Sequence, residues 1–113
     1  NVHTGGGTGA SGVAGDANWH IFGLVYDGNG VGDANKLKFR IDKVEQTLDF
    51  SADPGVGSTL LGTTNQYNLA CREDGVSYFV GDIAEVLMFN KVLSAGELAD
   101  VEEYLNTHWA IGL

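Results

Sequence analysis

From Trp19 to Lys43 the chain carries the pattern of two strands folded back on each other, and this limits what the rest can become. Over Lys36–Lys43, Leu37, Phe39 and Ile41 recur at a period of two on one side, while Lys36, Lys38, Arg40 and Asp42 occupy the other. That alternation predicts a half-exposed strand with one wall on a core. The preceding stretch WHIFGLVY, Trp19–Tyr26, is apolar in both parities. Trp19, Ile21 and Val25 share one face and Phe22, Leu24 and Tyr26 the other, as in a central strand covered on both sides. Between them DGNGVGDAN, Asp27–Asn35, is turn chemistry throughout, so the two strands are expected to pair as an antiparallel hairpin.

The remaining segments extend this reading. Val44–Phe50 continues as a weak strand, and Ser51–Gly62, with Asp53-Pro54-Gly55, reads as a loop. Tyr67–Arg72 is a short strand closed by a turn at Glu73-Asp74-Gly75. Tyr78–Asn90 is the longest apolar stretch, bent at Gly81-Asp82. Within it Ile83, Glu85, Leu87 and Phe89 face one way and Ala84, Val86 and Met88 the other, predicting a second central strand. Ser94-Ala95-Gly96-Glu97 is a capping box that opens a helix over 95–109. Leu98, Val101, Leu105 and Trp109 recur at helical spacing, with Glu97, Asp100 and Glu103 opposite, so the helix is expected to lie on the sheet and bury Trp109. Residues 1–18 are Gly-rich and read as an arm or long loop. The predicted architecture is an all-β antiparallel sandwich of jelly-roll type over 19–113, with one C-terminal helix.

Composition narrows the function classes. A length of 113 residues suits one domain, and 17 glycines against one proline suit short strands and many turns. The formal charge of −9 excludes the cationic surplus that a nucleic-acid groove needs and disfavours an anionic membrane surface. No apolar run approaches the ~18 residues that cross a bilayer. The lone Cys71 has no intrachain disulfide partner and reads as a buried strand thiol. There is no signal-peptide pattern, and a chain opening on Asn1 is expected to be a processed product or an excised piece.

Three motifs then fall into a recognisable order. WHIFGLVYDG resembles the WHHVAVTYDG strand of laminin-G-like, concanavalin A-like lectin/glucanase domains. KLKFRIDKV looks like the strand that follows it there. The segment from Phe79 to Trp109, with VGDIAEVLMFNKVLS running into a terminal helix, is similar to the closing part of the bacterial form. The resemblance covers Trp19 to the C-terminus and implies a binding module outside cells, on adhesins, secreted hydrolases, or phage and virus appendages. Two departures stand out. The strands that precede the WHxV-type strand in that family correspond here to 18 Gly-rich residues, so the first half is missing or supplied by another chain. Lys43-Val44 replaces the usual turn glycine after the second strand.

Candidate chemistry is sparse. Related jelly-roll glycosidases carry Glu-x-Asp-x-Glu with all three carboxylates on one face; here Asp82 and Glu85 are three apart and face opposite ways. Glu85 is therefore read as a structural hydrogen-bonding group and the chain as a non-enzyme. Asp27–Asp33 has oxygen-bearing side chains at alternate positions, but Val31 and Lys38 break the EF-hand pattern. Plain turn chemistry accounts for this loop. The resemblance also implies a looser Ca²⁺ site in which Asp27 and Asp33 would be the ligands. His3, His20 and His108 lack metal-ligand spacing, and Tyr67, Tyr78 and Trp109 are the aromatics available to stack on a sugar ring.

The expected function is a non-catalytic extracellular binding or adhesion module, at a cell or virion surface, that contacts a glycan or protein surface. Its contact residues are expected to be Asp27, Asn29, Asp33, Asn35 and Asn65. The rival reading is a structural subunit of a filament, appendage or viral particle, either homo-oligomeric or completed by another chain.

Overall fold

A computed structural model describes residues 17–51, 55–59 and 79–113. Strand β1 (Phe22–Tyr26) is followed by a one-turn helix α1 (Asp33–Lys36), β2 (Leu37–Ile41), β3 (Val44–Gln46) and helix α2 (Ala95–His108). The strands form one antiparallel sheet in the order β1-β2-β3. The hairpin read from the sequence is present, with Phe22 opposite Ile41, Leu24 opposite Phe39 and Tyr26 opposite Leu37. Directly opposed residues point to the same face, so these six share one apolar face. Phe22 and Phe39 stack on it with ring centroids 6.1 Å apart.

The β2–β3 connection is a two-residue turn, Asp42-Lys43, because Ile41 pairs with Val44. Both residues have positive φ, 52° and 69°, as the twist of a tight hairpin demands. Left-handed backbone costs a non-glycine residue roughly 1–2 kcal/mol, and the surroundings offset this. Asp42 N donates to Ile21 O (2.9 Å), while its carboxylate accepts from Ile21 N (3.0 Å) and from His20 Nδ1 (2.7 Å). The Lys43 carbonyl accepts from the Arg40 guanidinium.

Helix α2 begins with the expected capping box. Ser94 Oγ accepts from Glu97 N, and Glu97 Oε2 accepts from Ser94 N (2.8 Å). The helix docks on the polar face of the sheet, where Gly23 and Arg40 are paired. Arg40 Nε and Nη2 donate to Glu102 Oε1 and Oε2 at 2.6 and 3.0 Å, and Glu102 is only 3% exposed. Lys43 Nζ adds a bond to Glu103 (2.9 Å), and Asn106 ties Gly112 and Leu113 back onto the helix. Buried apolar contacts among the described residues centre on Ile21, Leu37, Ile41 and Val56.

Several expectations are corrected. The jelly-roll sandwich is not formed: the described residues hold one three-stranded sheet and a C-terminal helix. A second layer requires further strands, and Ile83–Phe89, expected to be a central strand, has no ladder partner among the described residues. Among the described residues β1 lies at an edge of the sheet and not at its centre, and Phe22 and Leu24 are 57% and 60% exposed. The 36–43 strand is shorter than its pattern, because Lys36 ends α1 and Asp42-Lys43 form the turn. Val44–Phe50 keeps only Val44–Gln46 as a strand. Trp109 caps α2 and is substantially exposed, while Glu102 takes the buried position. The cause is tertiary: Arg40 of β2 satisfies a carboxylate on the sheet-facing side, so that side need not be wholly apolar. The Tyr67–Arg72 strand, Cys71 and residues 1–16 of the arm lie outside the described residues.

Candidate binding surface

The loop between β1 and β2 is built from its own side chains. Asp27 N donates to Lys36 O (2.7 Å), closing the loop base, and Gly30 N returns to Asp27 O (3.0 Å). Asp27 Oδ1 accepts from Asn29 N (2.9 Å), an Asx-turn, and Asn35 Nδ2 donates to Val31 O (2.7 Å). Residues 55–59 are fastened onto this loop. Val56 N donates to Asp33 Oδ1 (2.8 Å), Lys36 Nζ donates to Val56 O (2.9 Å), and Tyr26 OH donates to Gly57 O (2.8 Å). Gly28 permits the contact, because a Cβ there would stand 2.2 Å from Ser58 O.

Beside this loop runs an open groove of about 470 Å³. Asp27, Gly30 and Asn35 form its loop wall; Val25, Lys38, Arg40 and Glu45 form its sheet wall. Val92, Leu93, Ala95 and Leu98 at the start of α2 close the apolar side. The charges along its floor are internally matched. Lys38 Nζ lies 4.0 Å from Glu45 Oε2, and Arg40 is held by Glu102, whose hydrogen bond raises the guanidinium pKa further above its ordinary value. Such a floor offers hydrogen bonds without a net charge of its own.

Of the residues expected from sequence, Asp27 and Asn35 are brought together in the groove. Asn29 lies on the exposed tip of the loop, the Asp33 carboxylate is turned to Val56, and Asn65 lies outside the described residues. Ca²⁺ takes six to eight oxygen ligands, as an order-of-magnitude guide about seven. Asp27 Oδ1 accepts from Asn29 N within the loop and Asp33 Oδ1 from Val56 N of the 55–59 segment, and no group of three or more His, Cys, Asp or Glu side chains suited to a metal occurs among the described residues. No helix among the described residues is long and apolar enough to cross a membrane.

Glu85 has the hydrogen-bonding part read for it. Its carboxylate accepts from Trp109 Nε1 (2.8 Å) and Tyr104 OH (3.4 Å), linking the segment before α2 to the end of the helix. Burial, then the nearby Glu85 charge, hold the Tyr104 phenol above its ordinary pKa. His108 stacks on Tyr104 at 5.2 Å and meets Trp109 edge-on at 5.0 Å. Sequence reasoning missed the Arg40–Glu102 and His20–Asp42 pairs. A signal for the first was present: Glu102 lies four residues after Leu98 and three before Leu105, inside the apolar stripe.

No family model, curated protein or solved structure matches the chain.

Proposed function

We propose that this protein is a non-catalytic binding module of the extracellular or cell- and virion-surface kind, and that its groove takes a neutral glycan. The observation that carries the reading is the groove itself: Asp27 and Asn35 meet a charge-paired floor of Lys38, Glu45 and Arg40 against an apolar wall from Val92 to Leu98. Sugars present many hydroxyls and apolar C–H faces but no charge, so they suit polar groups set beside an apolar wall. A net charge of −9 disfavours anionic ligands such as sulfated glycans or nucleic acid. The motifs that resemble laminin-G-like modules support the same class.

The test is a thermal-shift screen of neutral and sulfated oligosaccharides. A neutral glycan should raise the melting temperature of the wild-type chain and leave a groove-filling Leu98→Trp variant unmoved. Equal shifts for both proteins would place the binding elsewhere and remove the groove from the account.

A second reading, a structural subunit assembled with another chain, is favoured by the apolar face of the sheet, where Phe22, Leu24 and Val44 are each more than half exposed. Sedimentation would separate the two readings. A monomer at every concentration, with no heavier complex in its native mixture, would exclude assembly.

A further inference from the structure

The C-terminal end of α2 gathers three aromatic rings beside a carboxylate. Tyr104 and His108, one turn apart, stack at 5.2 Å, and His108 meets Trp109 edge-on at 5.0 Å. Glu85 joins two of them, accepting from Trp109 Nε1 at 2.8 Å on one oxygen and from Tyr104 OH at 3.4 Å on the other. The rings remain open to solvent, with Tyr104 46% and Trp109 42% exposed. A second carboxylate, the exposed Asp100, lies one turn before Tyr104 on the same line of the helix. Glu97, Glu102 and Glu103 are answered by Lys91, Arg40 and Lys43, so the negative charge beside the rings comes from Glu85 and Asp100. None of these aromatic residues, nor Glu85, lines the groove beside the β1–β2 loop.

We propose that this cluster is a second binding site, which takes the quaternary ammonium group of a choline-like cation on Trp109 and Tyr104 beside Glu85. The site goes beyond the glycan reading and does not depend on it. The polar handles of the rings select the ligand. The indole N–H and the phenol O–H are both directed at Glu85, so what the rings present outward is chiefly their π-systems. A sugar stacked there would need hydrogen-bond partners for its hydroxyls, and a primary ammonium would need acceptors to replace its tight hydration shell. A methylated ammonium needs neither. It donates no N–H hydrogen bond and is drawn to the negative face of an aromatic ring, and Glu85 and Asp100 add the opposite charge. The same two carboxylates disfavour a zwitterion whose phosphate would stand next to them.

The experiment is a titration of the full 113-residue chain, isotopically labelled, at mildly alkaline pH, where imidazole side chains are neutral. It is read on the indole N–H signals of Trp109 and of Trp19, the second tryptophan serving as the control. Choline should move the Trp109 signal saturably and leave Trp19 in place. Its uncharged carbon analogue, 3,3-dimethylbutanol, has the same shape and should bind about fivefold or more weakly. Phosphocholine should also bind more weakly than choline. Glu85→Gln keeps an acceptor for Trp109 and removes the charge, so it should weaken choline by about fivefold and leave the carbon analogue unaffected. The comparison of ligands on the parent chain needs no variant, so a folding defect in Glu85→Gln would leave the test intact. The absence of a saturable shift at Trp109 would overturn the proposal. Equal affinity for choline and 3,3-dimethylbutanol would do the same, by reducing the cluster to an apolar patch. Phosphocholine binding as tightly as choline, or a folded Glu85→Gln chain with undiminished choline affinity, would refute the selection by charge.

Discussion

Removing either partner of the Arg40–Glu102 pair should unhinge α2 from the sheet, and the two removals should not cost the same. The pair is bidentate, at 2.6 and 3.0 Å, and Glu102 is almost fully buried while the Arg40 side chain keeps some access to water. Breaking a buried pair from one side costs about 3–5 kcal/mol, chiefly because the other charge is left unpaired. In Glu102→Gln, Arg40 retains the Lys43 carbonyl and water, which places the loss near or below about 3 kcal/mol. In Arg40→Met, the Glu102 carboxylate remains buried without a cation, which places the loss near about 5 kcal/mol. Replacing both, as Arg40→Met with Glu102→Leu, removes two desolvation penalties together and should recover most of the stability. The assay is urea unfolding followed by far-ultraviolet circular dichroism, and a Glu102→Leu single variant completes the double-mutant cycle with the parent chain, Arg40→Met and the double variant. A coupling energy below about 0.5 kcal/mol would refute the reasoning, because it would make the contact equivalent to a surface ion pair.

Other outcomes follow from the same geometry. Asp42→Ala should destabilise by about 2–3 kcal/mol in urea unfolding, since it strips acceptors from His20 and Ile21 and leaves alanine at positive φ. Gly28→Ala should lower the melting temperature, at a cost of about 1–3 kcal/mol, by driving a methyl into Ser58 O. Gly96→Ala meets open space within α2 and should raise stability by up to about 1 kcal/mol in the same assay. The Lys91 hydrogen bond, then the Ser94 amide, hold Glu97 down at about 2, below its ordinary 4.5. A depressed carboxylate pKa stabilises the fold above the ordinary value and loses that contribution as pH falls through the folded one. Helix content followed by circular dichroism should therefore decline between pH 4.5 and about 2, and Glu97→Gln should flatten that decline. Adding calcium should leave the melting temperature unchanged; a rise would make Asp27 and Asp33 the residues to substitute.

What could be read from the sequence was local. The hairpin of Phe22–Tyr26 with Leu37–Ile41 follows from period-two alternation around a glycine- and asparagine-rich loop. The capping box at Ser94 and Glu97 is complete within four residues, so nothing distant is needed to form it. The sandwich expectation failed because it needed more than a local pattern. A strand exists only with a partner, and the alternation of Ile83–Phe89 says nothing about whether one is present. The same limit applies to the helix face, where Val101 and Leu105 mark a stripe but only the fold brings Arg40 to Glu102, 62 residues away. Within the candidate site, Asp27 and Asn35 were legible as loop polar groups, whereas Lys38, Arg40 and Glu45 looked like an ordinary solvated strand face. Their contribution depends on α2 crossing that face.

The most direct test of the binding account is an amide chemical-shift titration of the isotopically labelled chain with the neutral oligosaccharide that gives the largest thermal shift. The account predicts saturable shifts confined to Asp27, Gly30, Asn35, Lys38 and Val92–Leu98, the residues that line the groove. Shifts centred on Phe22, Leu24 and Val44, or none at saturating sugar, would contradict it and leave assembly with another chain as the function of this fold.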